Sequence, residues 1–143
     1  PRFLCAQAAG CSPIATAFAA GAGKVSRFPS PHTIAHAIEN PFPPSGNRTL
    51  SELRKYSSVA VSVSEEEIVK AQADMAHRGL FGQPASCVPL ACLRKARAEG
   101  TVTERQTAVL VMTGSGLKYT AAFAAHRLNW VDCSLEELGE KLK

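Results

Sequence analysis

The sequence lacks most of the features that would assign it quickly to a class. No apolar run approaches the roughly 18 residues of a membrane span. It has no Cys-x-x-Cys pair, no block of like charge, no internal repeat and no low-complexity tract. These absences argue against a membrane helix, a zinc ribbon, a nucleic-acid tail and a solenoid. The five cysteines, Cys5, Cys11, Cys87, Cys92 and Cys133, are odd in number and sit mostly among alanines and valines. They read as reduced, half-buried small hydrophobes, which places the protein in the cytoplasm. His32 and His36 stand four apart without a third ligand, so no metal is expected there. The chain opens Pro1-Arg2-Phe3-Leu4, with neither a methionine nor a signal-like lead, and is expected to begin in the middle of a fold.

What is present is an ordinary globular composition, 45% hydrophobic and 20% charged, over 143 residues. The formal charge of +4 comes from scattered residues. Arg94, Lys95 and Arg97 form the one tight basic group, and they fall at a helix end, where cations complement the dipole. A nucleic-acid partner is therefore not expected, and neither is a membrane.

Periodicity divides the chain into alternating elements. Phe3 to Ala8 reads as a strand. Ser12 and Pro13 then open a helix that Gly21 stops. Gly21 to Pro31 is a surface loop, and Thr33 to Glu39 is either a short helix or a packed loop. Pro41, Pro43 and Pro44 exclude a helix there. Thr49 with Glu52 predicts a capping box for a short helix ending at Tyr56. Ser58 to Val63 alternates as a strand should. Ser64 with Glu67 makes a second capping box, behind which Glu65, Glu66 and Glu67 occupy the first turn of a helix reaching Gly79. The helix that begins near Pro84 ends at Gly100, and Pro89 is expected close to its first turn. Ala108 to Met112 is an unbroken apolar run, read as a strand buried on both faces and ending at Thr113-Gly114-Ser115-Gly116. Alanines and Trp130 lead to a last helix capped by Ser134 and Glu137.

The order predicts an α/β fold of three layers, an open and mostly parallel sheet with helices on both faces. Ligands of such folds sit at the carboxyl ends of the strands, which directs attention to Thr113 and the glycines after it. Gly114-x-Gly116 lacks the third glycine of a dinucleotide fingerprint, so a nucleotide site is not supported.

Five collinear segments carry a resemblance. They are Gly-Cys-Ser-Pro-Ile at 10–14, Thr-Ile-Ala-His-Ala-Ile-Glu-Asn-Pro at 33–41, Val-Ser-Val-Ser-Glu-Glu-Glu-Ile at 61–68, Gly-Leu-Phe-Gly-Gln-Pro-Ala-Ser at 79–86 and Met-Thr-Gly-Ser-Gly-Leu-Lys at 112–118. Together they resemble the C-terminal part of threonine synthase, in the tryptophan-synthase-like, fold-type II class of pyridoxal phosphate enzymes. The resemblance implies that residues 1–120 form the second half of a large domain and that 121–143 form a tail with a short helix. It implies pyridoxal phosphate as cofactor, and conversion of O-phosphohomoserine and water to threonine and phosphate, a lyase reaction of amino-acid biosynthesis. It also implies that the Schiff-base lysine and the phosphate loop lie outside this chain, so no catalytic residue is assigned.

Four positions carry cofactor-binding expectations from the resemblance. Thr113 would offer its hydroxyl to the pyridine nitrogen, Gly114 and Gly116 would let the backbone approach the ring, and Gln83 would lie at the cofactor's edge. Lys118 belongs to the matched motif but is read as a surface or packing residue. Gln83 departs from the pattern, since the family commonly has Glu before Pro-Ala-Ser, and an amide cannot supply that charge. The departure keeps open cysteate synthase, which starts from phosphoserine and sulfite, another β-replacement enzyme, or a non-catalytic module that retains the fold. Half of a parallel sheet would leave an apolar edge open, so homo-oligomerisation or association with the missing N-terminal half is expected.

Overall fold

Two parallel strands form the centre of the molecule in a computed structural model that describes residues 1–119 and 131–141. Strand β1 (Leu4–Ala8) and strand β2 (Val59–Val63) pair in register from Leu4 against Val59 to Ala8 against Val63. The long connection between them carries helix α1 (Pro13–Ala19), a 3₁₀ turn (His36–Ile38) and helix α2 (Gly46–Lys55). Helix α3 (Glu65–Ala76) and helix α4 (Pro84–Ala98) follow β2, and a short helix α5 (Leu138–Lys141) comes last.

The period-2 alternation of the strands sorts their side chains between two helical layers. Ala6, Ala8, Val61 and Val63 pack with Ile68 and Ala71 of α3 and with Val88 and Cys92 of α4. Cys5 and Ala60 turn the other way, toward Ile14 and Ala17 of α1 and Leu50 and Leu53 of α2. Helices thus cover both faces of the sheet, as the three-layer reading expected. Fully burying a side chain such as Leu50 or Ile68 contributes about 1.5–3 kcal/mol, and both are at most 1% exposed.

The capping box of α3 forms as predicted, with Glu67 N–H donating to Ser64 Oγ at 3.3 Å and Ser64 N–H to Glu67 Oε2 at 2.8 Å. Helix α1 starts where expected but is capped differently. Ser12 makes no capping bond; Gln7, from β1, accepts the Ile14 and Ala15 N–H groups on its Oε1, both at 2.9 Å. The box predicted at Thr49 and Glu52 does not exist, because α2 begins four residues earlier, at Gly46, with Ser45 after the prolines as its N-cap. Thr49 instead donates its hydroxyl back to the Ser45 carbonyl at 3.0 Å. Pro89 lies beyond the first turn, inside α4, where its ring removes the donor that would bond the Ala85 carbonyl. Ser134 and Glu137 exchange the predicted pair of bonds ahead of α5. The alanines and Trp130 of the tail lie outside the described residues.

Ala108 to Met112 is not a strand, contrary to expectation. The run has no regular structure and no strand partner among the described residues, with Val109 87% and Val111 67% exposed. An apolar strand of a parallel sheet is fixed by ladder bonds to its neighbours, and the described residues offer this segment none. Four cysteines are inside as expected, while Cys133 is exposed; all five are free thiols.

Candidate functional site

The site is assembled around the carboxyl ends of β1 and β2, where residues of all five motif segments are joined by the contacts below. Gly10, just after β1, accepts the His32 N–H on its carbonyl at 2.9 Å. A Cβ at Gly10 would run into the His32 carbonyl, so this close crossing requires glycine. The 32–39 segment is then held by two carboxylates. Glu65, at the start of α3, accepts the Ile34 N–H at 2.8 Å, and Glu39 accepts the Thr33 N–H at 2.8 Å. Burial and the nearby Glu39 both push the Cys11 thiol above its ordinary range.

The glycine turn closes onto the loop before α4. Gly82 and Ser115 form an antiparallel bridge. The Gln83 N–H donates to the Gly114 carbonyl at 3.0 Å and the Gly116 N–H to the Phe81 carbonyl at 2.9 Å. Behind this zipper, the buried Gln72 of α3 donates its amide to the Gly82 carbonyl at 2.8 Å. The buried Ser86, in the first turn of α4, accepts the Gly114 N–H at 2.8 Å, and its oxygen stands 3.1 Å from the Thr113 hydroxyl. A 3₁₀ turn (Gly116–Lys118) follows, and Tyr119 then sets its ring edge-on to His36 at 5.6 Å, joining the turn to the 32–39 segment.

Thr113, Gly114, Gly116 and Gln83 are therefore brought together in one place. The glycines allow close packing. A Cβ at Gly114 would lie 2.7 Å from the Gln83 amide nitrogen, at the end of a side chain that can move, and one at Gly116 would enter the Phe81 ring. Lys118 is exposed at the end of the turn, away from these contacts. Sequence reasoning gave no role to Ser86, Phe81 or Gln72. A serine three residues after Gln83 at a helix start carried a signal, because a hydroxyl there faces the loop that precedes the helix.

These residues fit a pyridoxal ring by the chemistry of their donors. Ser86 Oγ has one proton and accepts the Gly114 N–H, and it shares a hydrogen bond with the exposed Thr113 hydroxyl. When Ser86 donates in that pair, the Thr113 proton is available to an aromatic nitrogen. No carboxylate makes a hydrogen bond to Thr113 or Ser86 among the described residues.

A three-layer α/β scaffold with a glycine turn at its strand ends defines the class, and comparison with known proteins narrows it. The family model of pyridoxal-phosphate dependent enzymes matches residues 1–114. The chain belongs to that family, whose cofactor is pyridoxal phosphate. It is 32% identical over 99% of its length to a threonine synthase of Methanosarcina acetivorans, and 33% identical over its whole length to one of Methanocaldococcus jannaschii. It spans 36% of the length of each of those relatives. The solved structure of maize serine racemase superposes with a TM-score of 0.68 at 16% identity, covering 99% of this chain and 40% of that one. The crystal structure of a T.th. threonine deaminase superposes at 0.56 and 22% identity, over 68% and 35%. Those two likenesses establish the fold, the fold-type II architecture. No helix among the described residues is long and apolar enough to cross a membrane.

Proposed function

We propose that this chain forms one wall of the cofactor site of a threonine synthase-like enzyme. Joined to the part that carries the cofactor lysine, it would turn O-phosphohomoserine and water into threonine and phosphate. The observation that carries this reading is the Thr113 hydroxyl, 3.1 Å from the Ser86 hydroxyl that also accepts the Gly114 N–H. Bound pyridoxal phosphate supplies an electron sink for replacement at the substrate's side-chain carbons. The chain's part is to orient the ring. A neutral hydroxyl at the ring nitrogen donates a hydrogen bond without adding a negative charge beside it, as a carboxylate would. Gly114 and Gly116 let the turn pack closely against Gln83 and Phe81, and Gln83, bonded by its backbone to Gly114, supplies an amide and no charge.

The test joins the chain to the part of the Methanosarcina acetivorans threonine synthase that it leaves unmatched. The assembled protein is expected to bind pyridoxal phosphate through a borohydride-trappable lysine outside these residues and to release phosphate from O-phosphohomoserine. Thr113→Val should lower turnover, and Thr113→Ser should restore most of it. Full activity in Thr113→Val would overturn the assignment of Thr113. Because Gln83 is neutral, the assay also includes phosphoserine with sulfite. Turnover of that pair alone would transfer the reading to a cysteate synthase-like enzyme, and cofactor binding without turnover of either would favour a non-catalytic module.

A further inference from the structure

The two hydroxyls that meet at the glycine turn stand in unequal surroundings. Ser86 is 3% exposed, whereas Thr113 is open to solvent. Their oxygens are 3.1 Å apart, and by distance alone either could be the donor. Each has one proton and two lone pairs. One lone pair of Ser86 Oγ is taken by the Gly114 N–H at 2.8 Å. The Gly114 carbonyl in turn accepts the Gln83 N–H at 3.0 Å, so the residue after Thr113 is fixed through both of its backbone groups.

Burial decides the direction of the bond. Among the described residues, the Ser86 hydroxyl has no acceptor within reach except Thr113. If Thr113 donated, the Ser86 proton would be buried with no partner, which carries the full desolvation cost of that group. If Ser86 donates, each buried group of the set is satisfied, and the proton left over belongs to the exposed Thr113. Accepting from Gly114 also strengthens Ser86 as a donor, because hydrogen bonds in a chain polarise one another.

We infer that Ser86 is a positioning residue, which donates to Thr113 and thereby fixes the Thr113 hydroxyl as a donor to an acceptor outside this chain. The acceptor is the unprotonated ring nitrogen of pyridoxal phosphate. A ring with C–H in that place would leave the Thr113 proton unmet, so the pair selects a ring that offers a lone pair. The identity of the ring rests on the threonine synthase-like reading; the direction of the bond does not.

Two measurements keep those parts separate. In the cofactor-free, full 143-residue chain, proton NMR reads the hydroxyls directly. The Ser86 proton is expected to exchange slowly with water and to show an Overhauser contact to the Thr113 methyl, and Thr113→Val should speed that exchange. A slow hydroxyl signal from Thr113, or from neither residue, would overturn the inference. The second measurement uses the chain joined to the unmatched part of the Methanosarcina acetivorans threonine synthase and reads dissociation constants, without turnover. The probes are pyridoxal phosphate and its deaza analogue, which has C–H in place of the ring nitrogen. The parent is expected to prefer pyridoxal phosphate by about tenfold, the scale of one unmet hydrogen bond. In Ser86→Ala the Thr113 hydroxyl can turn its oxygen to the ring instead, and the preference should fall to about twofold. Ser86→Ala added to Thr113→Val should change the preference no further, because Ser86 acts through Thr113. Should Ser86→Ala not fold, Ser86→Cys, with a weak donor at the same place, is read in its stead. A purely structural Ser86 would weaken both probes equally; an unchanged preference, or a further fall in the double variant, would overturn the inference. Binding of neither probe by the parent would overturn the cofactor reading and the selectivity with it, and the NMR result would still decide the direction of the bond.

Discussion

The hydroxyl of Ser86 accepts the N–H of Gly114 at 2.8 Å, tying the first turn of α4 to a turn 28 residues away. Both partners are small, a serine and a glycine. Replacing Ser86 by Ala leaves the Gly114 donor and the Thr113 hydroxyl without their common partner. The expected loss is about 1–2 kcal/mol, read as a lower urea midpoint together with faster exchange of the Gly114 amide.

Three glycines should separate by what surrounds them. A methyl at Gly10 meets the His32 carbonyl, which is backbone and cannot rotate aside, and one at Gly116 meets the Phe81 ring, whereas Gly23 has open space around it. Gly10→Ala and Gly116→Ala are each expected to destabilise by at least about 2 kcal/mol, Gly10→Ala the more. Gly23→Ala should be neutral or stabilising by up to about 1 kcal/mol, through loss of unfolded-state freedom. Chemical denaturation of the three variants checks the order.

Gln7 offers one oxygen to two buried donors at the start of α1. Gln7→Leu keeps the apolar volume and strands both N–H groups, for an expected loss of about 2–4 kcal/mol. Thermal unfolding measures it; a variant as stable as the parent would show that water replaces the side chain.

Burial pushes the Cys5 and Cys87 thiols up to about 11 and the Cys92 thiol up to about 12, from an ordinary value of 9.0. The unfolded chain therefore loses these protons at lower pH than the folded one. Stability from this source is fully present below about pH 9 and is lost as pH rises through 11 to 12. Urea midpoints should hold below pH 9 and fall above it. In native conditions at pH 8 an alkylating reagent should modify the exposed Cys133 first, a result that mass spectrometry reads directly.

Local patterns were enough to read the strands and helices whose signals lie within a few residues. The valines of β2 and the Ser64–Glu67 box are of this kind, because alternation and capping depend on neighbours in the chain. Long-range partners override such signals elsewhere. Ser12 looks like the cap of α1, yet Gln7 reaches the helix first from the adjacent strand. Thr49 and Glu52 have the spacing of a box, but the prolines before Gly46 already terminate the preceding loop and let α2 start earlier. The apolar run at 108–112 has the composition of a buried strand, and composition alone cannot provide the neighbour that would make it one. At the site, the clustering of Thr113, Gly114, Gly116 and Gln83 followed from motif resemblance. Ser86 and Gln72 became visible only as buried side chains with named partners.

Lys95 Nζ donates to the Ser62 carbonyl at 2.9 Å, a contact that bears on how the chain behaves at high concentration. A sheet open at both edges is a bifunctional monomer and can grow without limit. Lys95 places a charge on the β2 side, where an incoming strand would have to displace it from the Ser62 carbonyl before pairing. In the language of polymer chemistry, Lys95 lowers the valence of the chain, and its replacement by an uncharged residue would leave that carbonyl to accept from another copy.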